Sequence, residues 1–306
     1  MSSSASSSVP AQAGQPLAGG LILALLGSVA FSGKAIIVKL AYRYGVDAIT
    51  LIMYRMLFAL PLFALIAWWS GRGKAPMSRR DWAGIVGLGI SGYYLASFLD
   101  FLGLQYISAS LERLILYLNP TLVLGLSLLL FRKKVSWRQL VAIGVSYSGV
   151  LLVFGQEIDF QGPHVVLGGV LVFASALSYA IYLVYSGELV QRLGSLRLVG
   201  WASLVACVLC IGQFLLMRPL SAALVAPEVI WLSVLNATVC TVAPVLMVML
   251  AIERIGATMA AQSGMIGPLS TLILGVFILG EPFTPGIAVG TVLVLAGIWL
   301  LARWKN

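Results

Sequence analysis

The sequence predicts an all-α membrane protein: ten transmembrane helices arranged as two inverted five-helix repeats. Three observations lead there. First, 60% of the 306 residues are hydrophobic and 9% are charged, with a mean hydropathy of +1.03; a soluble domain carries roughly a quarter charged residues. Second, Asn119-Pro120 and Gly267-Pro268 stand 148 residues apart, each near the middle of a long apolar run. Residues 104–154 overlie 252–302 without a gap, with Ile107 on Ile255, Ala109 on Ala257, Leu124 on Leu272 and Gly149 on Gly297. Third, lysine and arginine are divided unevenly between alternate connections.

Residues 1–16 are rich in Ser, Ala, Gly and Gln and carry no charged side chain, so they are expected to form a disordered cytoplasmic tail. They lack the basic start and short apolar core of a secretory signal, which makes the first span, 18–40, an expected uncleaved anchor. Apolar runs of about 17–25 residues cross hydrocarbon as helices. They follow at 48–69, 82–104, 107–131 and 138–154, completing a first repeat over 17–154. A linker at 155–166 holds Glu157, Asp159 and His164 but no Lys or Arg, and is expected outside. The second repeat, 167–306, has runs at 167–190, 197–217, 229–252, 256–279 and 286–302. Five spans per repeat is an odd number, so the second copy enters the bilayer upside down. Such inverted repeats give alternating access a structural basis.

With the amino terminus cytoplasmic, the inside segments hold 13 basic residues: Arg72, Lys74, Arg79, Arg80, Arg132, Lys133, Lys134, Arg138, Arg192, Arg197, Arg254, Arg303 and Lys305. The outside loops hold 3: Lys39, Arg43 and Arg218. This positive-inside split places both termini in the cytoplasm. It also accounts for the net charge of +9, because the basic loops face anionic lipid. No basic patch with interleaved aromatics occurs elsewhere, so nucleic acid is not an expected partner.

Lys34, Arg55, Asp100, Glu112 and Arg113 lie inside the first four spans, at one depth in the outer half. An ionisable side chain there costs at least about 2.5–3.5 kcal/mol unless it is paired or faces water. Five together predict either a polar vestibule that binds solute or an ion-pair network that closes an outer gate. Lys34, Asp100 and Glu112 are assigned to substrate binding, and Arg55 and Arg113 to gating. Their sum of +1 favours a substrate bearing a carboxylate or phosphate, and Asp100 and Glu112 are candidate proton carriers. Span six carries Ser175, Ser178, Tyr179, Tyr182, Tyr185 and Ser186 at three- and four-residue spacing, one helical face. Span three carries Tyr93, Ser97 and Asp100 in the same way. Asn119, Asn236, Thr241, Gln262 and Ser263 are further polar candidates for a solute pocket, although serine and threonine often bond their own helix or a neighbour. Pro120 and Pro268 each remove a backbone donor, leaving the carbonyls of Leu116 and Gly264 without their usual partners; they read as paired hinges or static kinks.

Some motifs carry no function. Gly87-Leu88-Gly89-Ile90-Ser91-Gly92 matches a dinucleotide fingerprint but lies inside a span with no preceding strand. Cys207 and Cys210 sit within span seven without a second pair or a histidine cluster. No Ser-His-Asp set or metal-ligand cluster is present, so no cofactor or metal is expected.

These features resemble the drug/metabolite transporter superfamily, and within it the EamA-type ten-helix transporters. The resemblance covers nearly everything after Gln15. It rests on Phe31-Ser32-Gly33-Lys34, on Arg55, and on Ile107-Ser108-Ala109-Ser110 with Pro120 beyond. The second half adds Ile255-Gly256-Ala257-Thr258 with Pro268, and Leu279-Gly280-Glu281-Pro282-Phe283-Thr284 before a Gly-rich last span. Two departures are Arg132-Lys133-Lys134, where the family often has a Gly-Glu pair, and Ala30-Phe31-Ser32-Gly33, where Trp-Gly is common. The resemblance implies a cavity between the halves, lined chiefly by helices 1, 3, 4, 6, 8 and 9. The small multidrug exporters of the superfamily use a first-span glutamate, which is absent here, so their cation exchange is disfavoured. The expected function is a secondary transporter exporting a small metabolite, such as an amino acid, by alternating access across a bacterial inner membrane. The expected partners are that solute, the lipid bilayer and protons, with the chain a monomer or homodimer. A membrane-embedded enzyme or lipid-handling transferase, and a channel, are the competing classes.

Overall fold

The computed structural model describes residues 17–131, 136–263 and 266–303. Among them, α1 (Leu17–Tyr42), α2 (Ala48–Gly71) and α3 (Arg79–Gly103) make the first three crossings. The fourth is two helices, α4 (Ala109–Leu116) and α5 (Asn119–Phe131). The fifth to seventh are α6 (Trp137–Gln161), α7 (His164–Leu193) and α8 (Ser195–Met217). Then α9 (Pro227–Ala237) continues through a π turn at Thr238–Val242 into α10 (Ala243–Ser263). Helices α11 (Gly267–Leu279) and α12 (Pro285–Arg303) complete the chain.

Local sequence sets these boundaries. Asp47 caps α2 by accepting from the Ile49 and Thr50 amides, Ser78 and Asp81 form a reciprocal capping box on α3, and Ser136 and Gln139 form another on α6. Gly162 ends α6 at φ +84°, a conformation that disfavours any side chain. The segment expected as an external linker, 155–166, is therefore helical except at Gly162 and Pro163. Its polar residues can stay helical because Glu157 is buried against the start of α4 and not left in water.

Among the described residues, nine helices are long and apolar enough to cross a membrane, and Gly267–Leu279 is a shorter apolar one. Contacts along α1 account for the tenth crossing. Gly20 faces Arg254 and Ile255, Gly27 faces Met247 and Val248, and Gly33 faces Cys240, so the eighth crossing descends antiparallel to α1. The Gly267 carbonyl nevertheless accepts from Ser32, so the chain has climbed again by that point. Leu279 lies level with Arg43 at the Tyr42 end, completing the ninth crossing.

The principal packing pairs are α6 with α12, α2 with α8, α1 with α10, and α3 with α7. Exchanging the two repeats converts each pair into itself or into another member of the set, which is the signature of a pseudo-dyad. Close approach is built in. At Gly149 a Cβ would meet the Gly290 carbonyl, and at Gly290 it would meet that of Gly149, so α6 and α12 touch backbone to backbone. Outward faces stay apolar, as at Leu129, Leu216 and Phe277, which suits lipid. π turns recur at matching register, Gly89–Leu95 in α3 and Thr238–Val242 between α9 and α10.

Candidate functional site

Three of the five embedded charges meet, and Arg55 and Arg113 stand apart from them. Lys34 Nζ lies 2.5 Å from Asp100 Oδ2 and 3.1 Å from Glu112 Oε1, joining α1, α3 and α4. Asp100 and Glu112 are 2% and 0% exposed, and Asp100 Oδ1 and both Glu112 oxygens make no hydrogen bond among the described residues. One cation thus faces two buried carboxylates. Ser97, half-buried, sits on the same face of α3 one turn before Asp100.

Arg55 belongs to a separate group. Its Nε donates to Thr241 Oγ1 at 3.1 Å, and its guanidinium lies 5.1 Å from the centre of the Phe101 ring. Thr241 Oγ1 in turn donates to the Asn236 carbonyl at 2.8 Å, five residues back, a reach that the π turn supplies.

Arg113 and the start of α4 form a seal at the Tyr42 end. Arg113 donates to Thr271 Oγ1 at 2.9 Å and to the Phe31 carbonyl at 2.8 Å, tying α4 to α11 and α1. Glu281 accepts from the Ala109 amide at 2.7 Å, the Ser110 amide at 3.2 Å and the Ser110 hydroxyl at 2.6 Å. Glu157 accepts from the Ser108 amide and hydroxyl. Two carboxylates therefore satisfy the orphan donors and the positive end of α4. Lys39 donates to the Leu104 and Ile107 carbonyls beside them, and Arg43 to that of Leu279. Outside this seal lies a cavity of ≈ 540 Å³ lined by Lys39, Tyr42, Arg43, Asp47, Gln105 and Glu281. Asp47 stands just outside α2. Burial alone would raise its carboxyl, but hydrogen bonds from Thr50 and Arg218 outweigh it and hold the group below the usual range.

The span-six stripe is brought against α3. Ser175 donates to the Ala96 carbonyl at 2.6 Å and Ser178 to that of Ser91 at 2.7 Å. Ser91 lies within the π segment and Ala96 directly follows it, where the backbone ladder is displaced. Tyr93 and Tyr182 join hydroxyls at 3.1 Å with ring centres 5.2 Å apart, and Tyr179 stacks on Tyr182 at 5.4 Å. Gly92 admits the Tyr182 ring. Tyr185, expected on this face, is instead 52% exposed, while Ser186 bonds its own helix. At 100° per residue Tyr185 falls about 60° from Tyr182, at one edge of the stripe, whereas Ser186 returns to its centre.

At the paired prolines, Asn119 Nδ2 donates to the Leu116 carbonyl at 2.8 Å, replacing the donor that Pro120 removes. In the second half, Gly267 lies where a Cβ would press on Tyr117 and Ser28, and Ser32 donates to its carbonyl at 2.8 Å. Pro268 is buried and Pro120 exposed. The side chains of Gln262 and Ser263, and residue Gly264, lie outside the described residues. Sequence reasoning missed Glu281, Glu157 and Thr271. The first stood in the closing Gly-Glu-Pro stretch and offered a signal; the other two take meaning only from long-range contacts.

A family model describing the EamA-like transporter family matches residues 18–155 and again 166–303. The two matched stretches are themselves offset by 148 residues at both ends, the spacing of the paired prolines. Among curated relatives, the uncharacterized transporter YcbK of Bacillus subtilis is 34% identical over 270 residues, 86% of either chain. An uncharacterized transporter of Archaeoglobus fulgidus is 24% identical over 280 residues, 91% of this chain and 96% of its own. A solved crystal structure matches with a TM-score of 0.64 at 16% identity, covering 94% of this chain and 99% of the other, a likeness of fold. The duplicated helical architecture and these matches define a multi-pass membrane transporter. The chain belongs to the EamA-like transporter family.

Proposed function

We propose that this protein is a secondary carrier that exports a small amphoteric metabolite, an amino acid or a solute like it, in exchange for protons. The observation that carries the reading is the Lys34–Asp100–Glu112 triad, one cation between two carboxylates at depth in the bilayer. The excess negative charge needs neutralising there. A proton does so in the solute-free protein, and the ammonium of an entering solute does so in its place. The displaced proton leaves to the side from which the solute came, and the two ligands then alternate. Inverted repeats, with a seal at the Tyr42 end, supply the two faces. The distribution of lysine and arginine supports placing that end outside and both termini in the cytoplasm, and we take the membrane to be the bacterial inner membrane. The repeats are assigned to 17–154 and 167–306.

Purified protein in liposomes tests the reading. Saturable flux of a labelled amino acid with counterflow, driven by a pH gradient, is expected. Unsaturable conductance would make it a channel, and turnover without flux an enzyme. Lys34→Ala and Asp100→Ala are expected to lower flux at least about tenfold at equal expression, since removing one partner of a buried pair costs about 3–5 kcal/mol. Unchanged flux in either removes the triad from the site.

A further inference from the structure

Among the buried polar atoms without a hydrogen-bond partner, which also include Asn119 Oδ1, Arg197 Nε, Ser203 Oγ and Gln213 Oε1, two clusters of opposite character stand out. Acceptors gather at the triad: Asp100 Oδ1 and Glu112 Oε2 have no hydrogen-bond partner, and Glu112 Oε1 has only its ion pair with Lys34. Donor capacity gathers around Arg55. Its guanidinium is only 7% exposed, Nη1 has no hydrogen-bond partner, and no carboxylate lies within ion-pair distance among the described residues. Asn236, 1% exposed, leaves both amide atoms unpaired, and Ser233 Oγ, one turn earlier on the same helix, is unpaired as well. The Thr241 hydroxyl links the Arg55 side chain to the Asn236 backbone. A buried guanidinium with one neutral hydrogen bond is a poor structural element, because an uncompensated charge in such a setting is strongly destabilising. It is a good receptor for an anion that arrives with its own charge.

The two sets are neighbours. Arg55 lies over the ring of Phe101, and Phe101 follows Asp100 in α3. We propose that Arg55 and Asn236 form the anion-binding pole of the solute site and receive a carboxylate, while the ammonium of the same molecule goes to Asp100 and Glu112. The transported solute is then a compact zwitterion with its two charges a few bonds apart. This rests on the carrier reading for what is moved, but it assigns a recognition site that can be measured without transport.

The experiment uses the full chain in detergent, with thermal unfolding recorded against the protein amino acids, the α-amide of each and the corresponding decarboxylated amine. At least one amino acid is expected to raise the wild-type melting temperature. Its amide and amine should need at least about tenfold higher concentration for the same rise, the loss expected for one charge-assisted contact. Arg55→Gln should abolish that preference while melting no lower than wild type without solute, because it removes an unpaired buried charge. Asn236→Ala, the milder change, should weaken the preference and leave the fold intact. The proposal is overturned if no amino acid shifts the wild type, if amides or amines serve as well as acids, or if either variant keeps the full preference. Should Arg55→Gln fail to fold, Asn236→Ala decides alone. A clear preference without liposome flux would sink only the carrier reading, and flux without the preference only this one.

Discussion

Asn119 and Pro120 show how one residue repairs what its neighbour breaks. The proline takes away the amide that would bond the Leu116 carbonyl, and the Asn119 side chain supplies another donor at 2.8 Å. Asn119→Ala should therefore cost about 1 kcal/mol or more by orphaning a buried acceptor. Asn119→Ala with Pro120→Ala should recover most of it, since an alanine at 120 restores the backbone donor. A double-mutant cycle in thermal unfolding checks this, and purely additive effects would contradict it. Asp47 provides a pH test outside the bilayer. Its carboxyl is held low by Thr50 and Arg218, so its stabilisation is full above the unfolded value of about 3.9 and fades as pH falls through the lower folded one. Asp47→Ala should melt below wild type at neutral pH, with the gap narrowing under acid; a constant gap would assign the effect to packing. The embedded charges were legible because they interrupt long apolar runs. Their partners were not, since Lys34 and Asp100 are 66 residues apart and hydropathy carries no pairing information.

At the scale of elements, the first turn of α4 is held from two sides, by Glu157 near the end of α6 and by Glu281 from the second repeat. Parting the halves at the Tyr42 end breaks the Glu281 contacts and spares those of Glu157, so the helix keeps one carboxylate throughout. Glu281→Gln should loosen the seal. In a background lacking Cys207, Cys210 and Cys240, a cysteine introduced by Thr271→Cys should be labelled faster from outside when Glu281 is neutral. An unchanged rate would relegate Glu281 to a static cap. Helix number, order and inversion were readable from apolar run length and the paired prolines. The π turns at Gly89–Leu95 and Thr238–Val242 were not, because a widened turn leaves composition and period almost unaltered. The polar face of α7 was visible as a pattern, yet its serines bond carbonyls of α3, contacts that only the assembled pair defines.

Over the whole molecule, the fold is two-fold and the chemistry is not. At the 148-residue offset, Lys34 maps to Tyr182, Asp100 to Val248 and Glu112 to Ala260. The triad thus has a tyrosine and two apolar residues at its symmetry-related positions. Topology is expected to follow the basic residues: reporters fused after Arg303 and ahead of Leu17 should both face the cytoplasm, and one inserted between Gly162 and Pro163 should face out. Ends on opposite sides would refute the inverted arrangement.

That mismatch between architecture and side chains has an energetic outcome. A frame whose two lips are held by different groups, Arg113 and Glu281 at one and the Arg192–Asp81 pair with Arg197 on the Ala75 carbonyl at the other, need not idle evenly between its two postures. The lip that holds Arg113, Glu281 and the triad is the more heavily bonded and should stay shut by default, so on the proposed topology the empty protein should rest with its mouth toward the cytosol.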